Sequence, residues 1–173
     1  GSQYNRSIGM AYEAGSVVKI LTMAAALDTG TVTPSTTYID TGSIDVGGIT
    51  IYNWNREPWG QQDMTGCLQH SLNVCMAWIS TQMGPQSFYG YMERFGLGHP
   101  TGIDLSGEAM GRLKVPGDTD WYPVDLGTNA FGQGVTVTPM QLLMSASAIA
   151  NNGKMVTPHV LYSMLRDGHQ YNV

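Results

Sequence analysis

The sequence AYEAGSVVKILTMAAALDTG, residues 11–30, reads as one apolar helix with a polar pair at its start. We predict a helix over residues 15–28, because Gly30 lies where a helix-ending glycine is expected. Ser16 stands at the helix start and Lys19 lies one turn further in. A lysine about to be covered by Leu, Met and Ala is costly to bury, so this lysine indicates more than packing.

The spacing S-x-x-K places the side chains of Ser16 and Lys19 on one face of the helix. Burial and the positive helix end both lower the pKa of Lys19. A neutral lysine can take the serine proton, so the pair can act as an activated nucleophile without histidine. The unpaired N–H of Ser16 can help to hold an oxyanion. The alternative is that Ser16 only caps the helix and Lys19 reaches solvent.

A second polar element, Ser71-Leu72-Asn73, falls at a predicted break between two helical segments. A serine hydroxyl can relay a proton, and an asparagine amide can hold a substrate carbonyl. Such tripeptides are also common helix caps. Ser71-Leu72-Asn73 therefore indicates a catalytic site only through its order and distance relative to S-x-x-K.

The remaining pattern predicts a mainly α-helical fold with short β hairpins. The expected strands are a hairpin around Gly47-Gly48 and two strands joined at Asp167-Gly168. The expected helices cover residues 63–84, with a break near 70–73, and a short segment from Pro85. After a mostly irregular stretch over 99–134, a last helix is capped by Thr138, starts at Pro139 and stops at Gly153.

Composition indicates one globular domain. The chain has 173 residues, of which 42% are hydrophobic and 12% charged, with a net charge of −5. The acidic balance makes nucleic acid an unexpected partner. No apolar run approaches the roughly 18 residues of a membrane span. Gly1 and Ser2 are interpreted as a possible cloning remnant.

Cys67 and Cys75 are expected to be free, buried thiols. On one helix, eight residues would separate them by about 12 Å of rise, whereas a disulfide needs Cα atoms within about 7 Å. The four histidines show no metal-ligand spacing, so we expect neither a metal nor another cofactor.

Longer patterns resemble the transpeptidase domain of the penicillin-binding proteins, which cross-link peptidoglycan and are acylated by β-lactams. The matching stretches are YEAGSVVKILTMAAAL at 12–27, GGITIYNW at 47–54, SLNVCMAWISTQMG at 71–84, YMERFGLGHPTGIDLSGEAMG at 91–111 and NAFGQGVTVTPMQLLMSASAIANNG at 129–153. The family usually has P-G-S where this chain has Ala14-Gly15-Ser16.

The resemblance implies the helical part of the β-lactamase/transpeptidase-like α+β fold, with residues 1–173 as a partial domain and the central sheet largely missing. The roles it implies are acylated nucleophile for Ser16, general base for Lys19, proton shuttle for Ser71, binding of the substrate amide for Asn73, and lining of the cleft for Trp54 and Gln133.

The implied substrates are peptidoglycan stem peptides, with β-lactam antibiotics as inhibitors and no cofactor. Ser16 would attack the carbonyl between two D-alanines, and the acyl group would pass to an amine on a neighbouring strand. The resemblance also implies a membrane-anchored parent protein that works at the extracytoplasmic face of the bacterial cell membrane.

The family's third motif, K-T-G or K-S-G, is absent. None of Lys19, Lys114 and Lys154 precedes Thr-Gly or Ser-Gly. Because losing one oxyanion donor costs about 100- to 1000-fold in rate, we expect the 173-residue chain to be inactive or nearly so. We also expect an exposed apolar face that favours oligomerisation, strand exchange or a partner fragment.

Other functions stay open at this point. D-T-G at residues 28–30 and 40–42 matches the aspartic protease pattern, although each copy also suits a helix end or a turn. A serine β-lactamase or a β-lactam sensor domain would share S-x-x-K. The missing third motif also allows a non-catalytic helical scaffold module.

Overall fold

Seven helices make up most of the regular structure in the computed structural model, which describes residues 4–172. They are α1 Arg6–Gly9, α2 Val18–Asp28, α3 Met64–Gln69, α4 Asn73–Met83, α5 Pro85–Arg94, α6 Asp125–Asn129 and α7 Pro139–Ala150. A 3-10 turn, Gly15–Val17, leads directly into α2.

The strands are short and form separate small sheets. They are β1 Tyr12–Glu13, β2 Thr37–Asp40, β3 Ser43–Val46, β4 Ile49–Tyr52, β5 Gly60–Asp63, β6 Arg112–Leu113, β7 Val135–Val137, β8 Ser163–Arg166 and β9 His169–Asn172. One sheet has the order β1-β7-β6, and the others are the antiparallel pairs β2–β5, β3–β4 and β8–β9. The expected class, mainly α with short hairpins and little central sheet, is confirmed.

Helix α4 lies at the centre of the core, where it packs against α2, α5, α6 and strands of the β2–β4 region. Side chains from three of these helices are fully buried, including Leu21, Met76, Ile79 and Phe88. Burying one such side chain contributes roughly 1.5–3 kcal/mol. The core therefore holds the start of α2 and the start of α4 next to each other, and these are the ends that carry S-x-x-K and Ser71-Leu72-Asn73.

Local signals predicted most helix ends, but residues 15–17, which were expected to be α-helical, form a 3-10 turn before α2 begins at Val18. Thr138 caps α7 in a capping box, in which Gln141 N donates to Thr138 Oγ1 at 3.2 Å and Thr138 N donates to Gln141 Oε1 at 2.7 Å. The break between α3 and α4 falls at residues 70–72, as expected. The hairpin turns at Gly47-Gly48 and Asp167-Gly168 also lie where they were predicted.

Several short elements were not predicted. Strand β6 and helix α6 lie within the stretch that was expected to be irregular, and α1, β1, β5 and β7 were missed. Two- and three-residue strands are too short to show a hydrophobic period. Their hydrogen-bond partners also lie far away in the sequence, since β1 pairs with β7.

The prediction of free cysteines is wrong, because Cys67 and Cys75 form a disulfide with a Cα–Cα distance of 6.0 Å. The prediction assumed one continuous helix. The chain instead leaves α3 and turns back, with Leu72 N donating to Cys67 O at 3.0 Å, before α4 begins. Both sulfur-bearing residues are fully buried.

Reducing this disulfide is expected to lower the free energy of unfolding by about 2–3 kcal/mol, because the cross-link no longer restricts the unfolded chain. Urea unfolding with and without a phosphine reductant measures the difference. The double variant Cys67→Ala, Cys75→Ala is the control and should not respond to the reductant. Alkylation of two thiols in the unfolded, unreduced protein would contradict the disulfide.

Candidate active site

Ser16 and Lys19 lie at the same helix end but in different surroundings. Ser16 belongs to the 3-10 turn Gly15–Val17 and is exposed. Its hydroxyl makes no hydrogen bond to any residue within 4–172. Lys19, in the first turn of α2, is only 2% exposed. An uncommitted hydroxyl therefore sits one helical turn from a buried amine.

The amine of Lys19 is held by the loop that joins α3 to α4. Lys19 Nζ donates to Ser71 O at 2.6 Å, to Ser71 Oγ at 2.9 Å and to Asn73 Oδ1 at 2.7 Å. The Phe131 ring centroid lies 6.0 Å from the same nitrogen. The structure thus brings together three of the four residues predicted to be catalytic, with Ser16 one turn away.

Burial lowers the pKa of Lys19 from 10.5 to about 8. Removing an ammonium group from water disfavours its charged form. No carboxylate within residues 4–172 forms a salt bridge with Lys19 to oppose that effect. A substantial neutral fraction near pH 8 makes this lysine chemically able to accept a proton.

Ser71 adopts a backbone conformation that is uncommon for its residue type, with φ of 53°. A left-handed conformation costs a non-glycine residue roughly 1–2 kcal/mol, so the surroundings must enforce it. The Cys67–Cys75 disulfide encloses this loop, and the Leu72–Cys67 backbone bond closes it. As a result both the carbonyl and the hydroxyl of Ser71 face Lys19.

Trp54 lies two residues after the end of β4, the strand whose last residue contacts Asn73. It follows β4 and is 73% exposed. The connection to the site runs through its neighbours, because Asn73 Nδ2 donates to Tyr52 O at 3.3 Å. The indole itself is open to solvent.

Gln133 is exposed on a loop that packs directly against the turn carrying Ser16. Gly15 N donates to Gly132 O at 3.2 Å, and Gly134 N donates to Glu13 Oε1 at 2.8 Å. A Cβ atom on Gly132 would lie 2.0 Å from Gly15 O. The sequence F-G-Q-G thus places Gln133 beside the start of the helix because only glycine permits this approach.

Two polar residues that anchor this loop were not predicted. Glu13 accepts the bond from Gly134, and Thr22 Oγ1 donates to Ala130 O at 2.8 Å inside the core. The glycines of F-G-Q-G are a sequence signal for close backbone approach. That signal does not say which segment approaches, and neither Glu13 nor Thr22 is a defining residue of S-x-x-K, although both lie in the stretch 12–27 that resembles the family.

The two D-T-G carboxylates have different environments. Asp28 is exposed at the end of α2 and accepts a hydrogen bond from Tyr91 Oη, whereas Asp40 is buried and bonded to Gly42 N at 2.7 Å. Within residues 4–172 no group of His, Cys, Asp and Glu could hold a metal ion. The described helices include none long and apolar enough to cross a membrane.

The family model for the penicillin-binding protein transpeptidase domain matches residues 2–171. The chain belongs to this family. Penicillin-binding protein transpeptidases act in peptidoglycan synthesis, and the match leaves the aspartic protease alternative without support. The D-T-G residues are accordingly a helix end and a turn.

Curated relatives agree with this assignment. The chain is 38% identical over 162 residues to the stage V sporulation protein D of Bacillus subtilis, covering 92% of this chain and 25% of that protein. It is 31% identical over 179 residues to the peptidoglycan D,D-transpeptidase MrdA of Escherichia coli K12, covering 96% of this chain and 28% of MrdA. The chain thus spans about a quarter of the length of these relatives.

Solved structures share the fold. Penicillin-binding protein 3 of Mycobacterium tuberculosis, complexed with aztreonam, matches with a TM-score of 0.90 and 30% identity over 99% of this chain and 38% of that one. A peptidoglycan synthetase of Bifidobacterium adolescentis matches with a TM-score of 0.91 and 30% identity over 100% of this chain and 32% of that one.

Gly132→Ala should destabilise this penicillin-binding protein domain by about 1–3 kcal/mol more than Gly153→Ala, because the added methyl overpacks against the Gly15 backbone. Gly153 is the matched control, since it also has a positive φ, 78° against 83°, and no atom lies within 4 Å of the position that its new methyl group would take. Urea unfolding of both variants gives the comparison. Equal losses would mean that the loop does not press on the turn.

Proposed function

We propose that this chain is part, mainly the helical part, of a peptidoglycan D,D-transpeptidase domain that works through an acyl-serine intermediate. Ser16 is the nucleophile and Lys19 its general base. The observation that carries the proposal is the buried Lys19 amine, whose pKa is about 8 and which bonds to both Ser71 and Asn73 beside an exposed serine hydroxyl.

In the first step Ser16 Oγ bonds to the carbonyl carbon between two D-alanines while Lys19 Nζ accepts the hydroxyl proton. The carbonyl oxygen becomes an oxyanion, which the Ser16 N–H helps to hold. When the intermediate collapses, the C–N bond breaks and the departing D-alanine amine takes a proton. Ser71 Oγ, 2.9 Å from Lys19 Nζ, relays that proton.

In the second step the amine of a neighbouring strand attacks the ester carbonyl of the acyl-serine. Lys19, neutral again, takes a proton from that amine, and Ser16 regains its hydroxyl proton as the C–O bond breaks. Asn73 is proposed to bind the substrate amide, and Trp54 and Gln133, which are both exposed, to help line the cleft.

Peptidoglycan stem peptides are the proposed substrates, and β-lactams the proposed inhibitors. The Mycobacterium tuberculosis relative was crystallised in complex with aztreonam and with ampicillin. A β-lactam amide would enter the first step in place of the D-alanyl bond. When the strained ring opens, the amine that is released stays covalently joined to the acyl group. This retained leaving group hinders the second step.

The 173-residue chain is proposed to be inactive or nearly so. It lacks K-T-G and K-S-G, and that motif would supply the second oxyanion donor and the carboxylate site. Val17 in the 3-10 turn and Ile20 in α2 are 48% and 40% exposed, and we propose that the strand with this motif would cover them. Exposed apolar side chains of this kind also favour self-association when the strand is absent.

The parent protein is proposed to be anchored in the membrane and to act at its extracytoplasmic face. Its substrate is assembled there, and the Cys67–Cys75 disulfide suits an oxidising compartment. The anchor and the compartment are testable by fractionating cells that express the parent protein.

Incubation with a fluorescent penicillin, followed by intact-mass measurement, tests the proposal. A longer chain that includes the third motif should gain one adduct, Ser16→Ala should gain none, and the exposed control Ser106→Ala should react normally. The 173-residue chain should react at least about 100-fold more slowly. An adduct on Ser16→Ala would overturn the assignment of Ser16 as the nucleophile. Fast labelling of the 173-residue chain would overturn the proposal that this chain is inactive.

The rate of acylation of the longer chain should rise with pH and level off above about 8, because only the neutral Lys19 amine can accept the proton and its pKa is about 8. Lys19→Arg keeps the positive charge and should lose about 100- to 10,000-fold in rate. Stopped-flow measurements from pH 6 to 9.5 give the profile. A rate independent of pH over this range would exclude Lys19 as the base.

A further inference from the structure

A buried carboxylate, Asp40, lies behind the candidate active site without a cationic partner among residues 4–172. Asp40 is 1% exposed. Its oxygens accept hydrogen bonds from Gly42 N at 2.7 Å, from Tyr38 Oη at 2.5 Å and from Asn53 Nδ2 at 2.9 Å to each oxygen. Burying a carboxylate is costly unless it is fully bonded, so this network has a definite geometry to maintain.

Asn53 carries that geometry to helix α4. Asn53 is 2% exposed and uses both ends of its amide. Its Nδ2 donates to Asp40, and its Oδ1 accepts from Val74 N at 3.2 Å. Val74 is the second residue of α4, where backbone N–H groups have no partner within the helix.

The neighbouring residues make a parallel connection. Asn73, which begins α4, donates from Nδ2 to Tyr52 O at 3.3 Å, while its Oδ1 accepts from Lys19 Nζ at 2.7 Å. The end of β4 and the residue after it therefore hold the first two residues of α4. The position of the Asn73 amide relative to Lys19 depends on the bond from Asn73 to Tyr52 O and on the bond from Val74 N to Asn53.

Asp40 determines which way the Asn53 amide faces. An ionised carboxylate only accepts hydrogen bonds, so it selects the NH₂ end of the amide and leaves the oxygen for Val74. If the amide rotated by half a turn, its NH₂ group would face the Val74 N–H, and both are donors. The carboxylate thus fixes the acceptor that α4 requires.

We propose that Asp40 and Asn53 are positioning residues that orient the first turn of α4, and through it Asn73 and Lys19, for acyl transfer. The proposal deepens the function proposed above and rests on it for its kinetic consequence. It also gives a role to the D-T-G stretch at residues 40–42, which the transpeptidase chemistry does not otherwise use.

An exchange of the two side chains tests the proposal. Asp40→Asn removes the acceptor-only group, and Asn53→Asp removes the NH₂ that Asp40 requires and places two carboxylates together. The double variant Asp40→Asn, Asn53→Asp restores a donor–acceptor pair, because the new amide can donate to the new carboxylate. The carboxylate at position 53 can still accept from Val74 N.

The first measurement needs no enzymatic activity and uses the 173-residue chain. Amide hydrogen exchange at Val74 should be at least about tenfold faster in each single variant and return towards the wild-type rate in the double variant. Ser80→Ala is the control, because Ser80 Oγ donates to Leu126 O at 2.8 Å from the other half of the same helix. Ser80→Ala should leave Val74 exchange unchanged when opening is local.

The second measurement uses β-lactam acylation of the longer chain that includes the third motif. Each single variant should be about 10- to 100-fold slower, since small misplacements of reacting groups have effects of that size. The double variant should recover to within a few-fold, and Ser80→Ala should match the wild type. The pH at half-maximal rate should shift in the single variants, which a loss of stability would not cause.

The outcomes separate the two proposals. If the wild-type longer chain is not acylated at Ser16, the proposed function fails, and Val74 exchange still decides whether the network orients α4. Unchanged exchange in the single variants, or no recovery in the double variant, would overturn the positioning role. If a single variant does not fold, the double variant decides, because it should fold with Val74 protected only when the pair is restored.

Discussion

The candidate active site depends on the three hydrogen bonds from the Lys19 amine to the loop between α3 and α4. Ser71 contributes its carbonyl and hydroxyl, and Asn73 contributes its side-chain oxygen. These acceptors replace the hydrogen bonds that the amine would make with water. Burial still lowers the pKa of Lys19 to about 8. Core packing brings the ends of α2 and α4 together, but these bonds set the distances between the functional groups.

Helix α4 needs support on both sides of its first residue. Before it, the disulfide and the unusual conformation of Ser71 shape the loop. After it, Asn53 accepts the Val74 N–H. The disulfide and the Asn53–Val74 hydrogen bond both lie within two residues of Asn73 and leave its amide little freedom. Electrostatic catalysis requires this kind of preorganisation.

Local features could be predicted from sequence, and remote contacts could not. The end of α2, the capping box of α7 and the break before α4 depend on residues within a few positions of each other. The disulfide was missed because a small turn of the chain between α3 and α4 changes a separation of about 12 Å into one of 6.0 Å. The S-x-x-K and S-x-N patterns include Lys19, Ser71 and Asn73, which the structure brings together. The D-T-G pattern drew attention to Asp40 but not to its partner Asn53. Partners such as these lie in different segments, so no local period reveals them.

The pairing of β1 with β7 has a consequence for biosynthesis. Glu13 and Gly134, which hydrogen bond to each other, are 121 residues apart. At roughly 5–20 residues per second, the ribosome needs about 6–24 s to make the stretch between them. During that time the turn with Ser16 has neither its neighbouring strand nor the F-G-Q-G loop against it. The turn that carries the Ser16 hydroxyl is therefore made well before the F-G-Q-G loop that packs against it, and it gains its final contacts only after that loop has been synthesised.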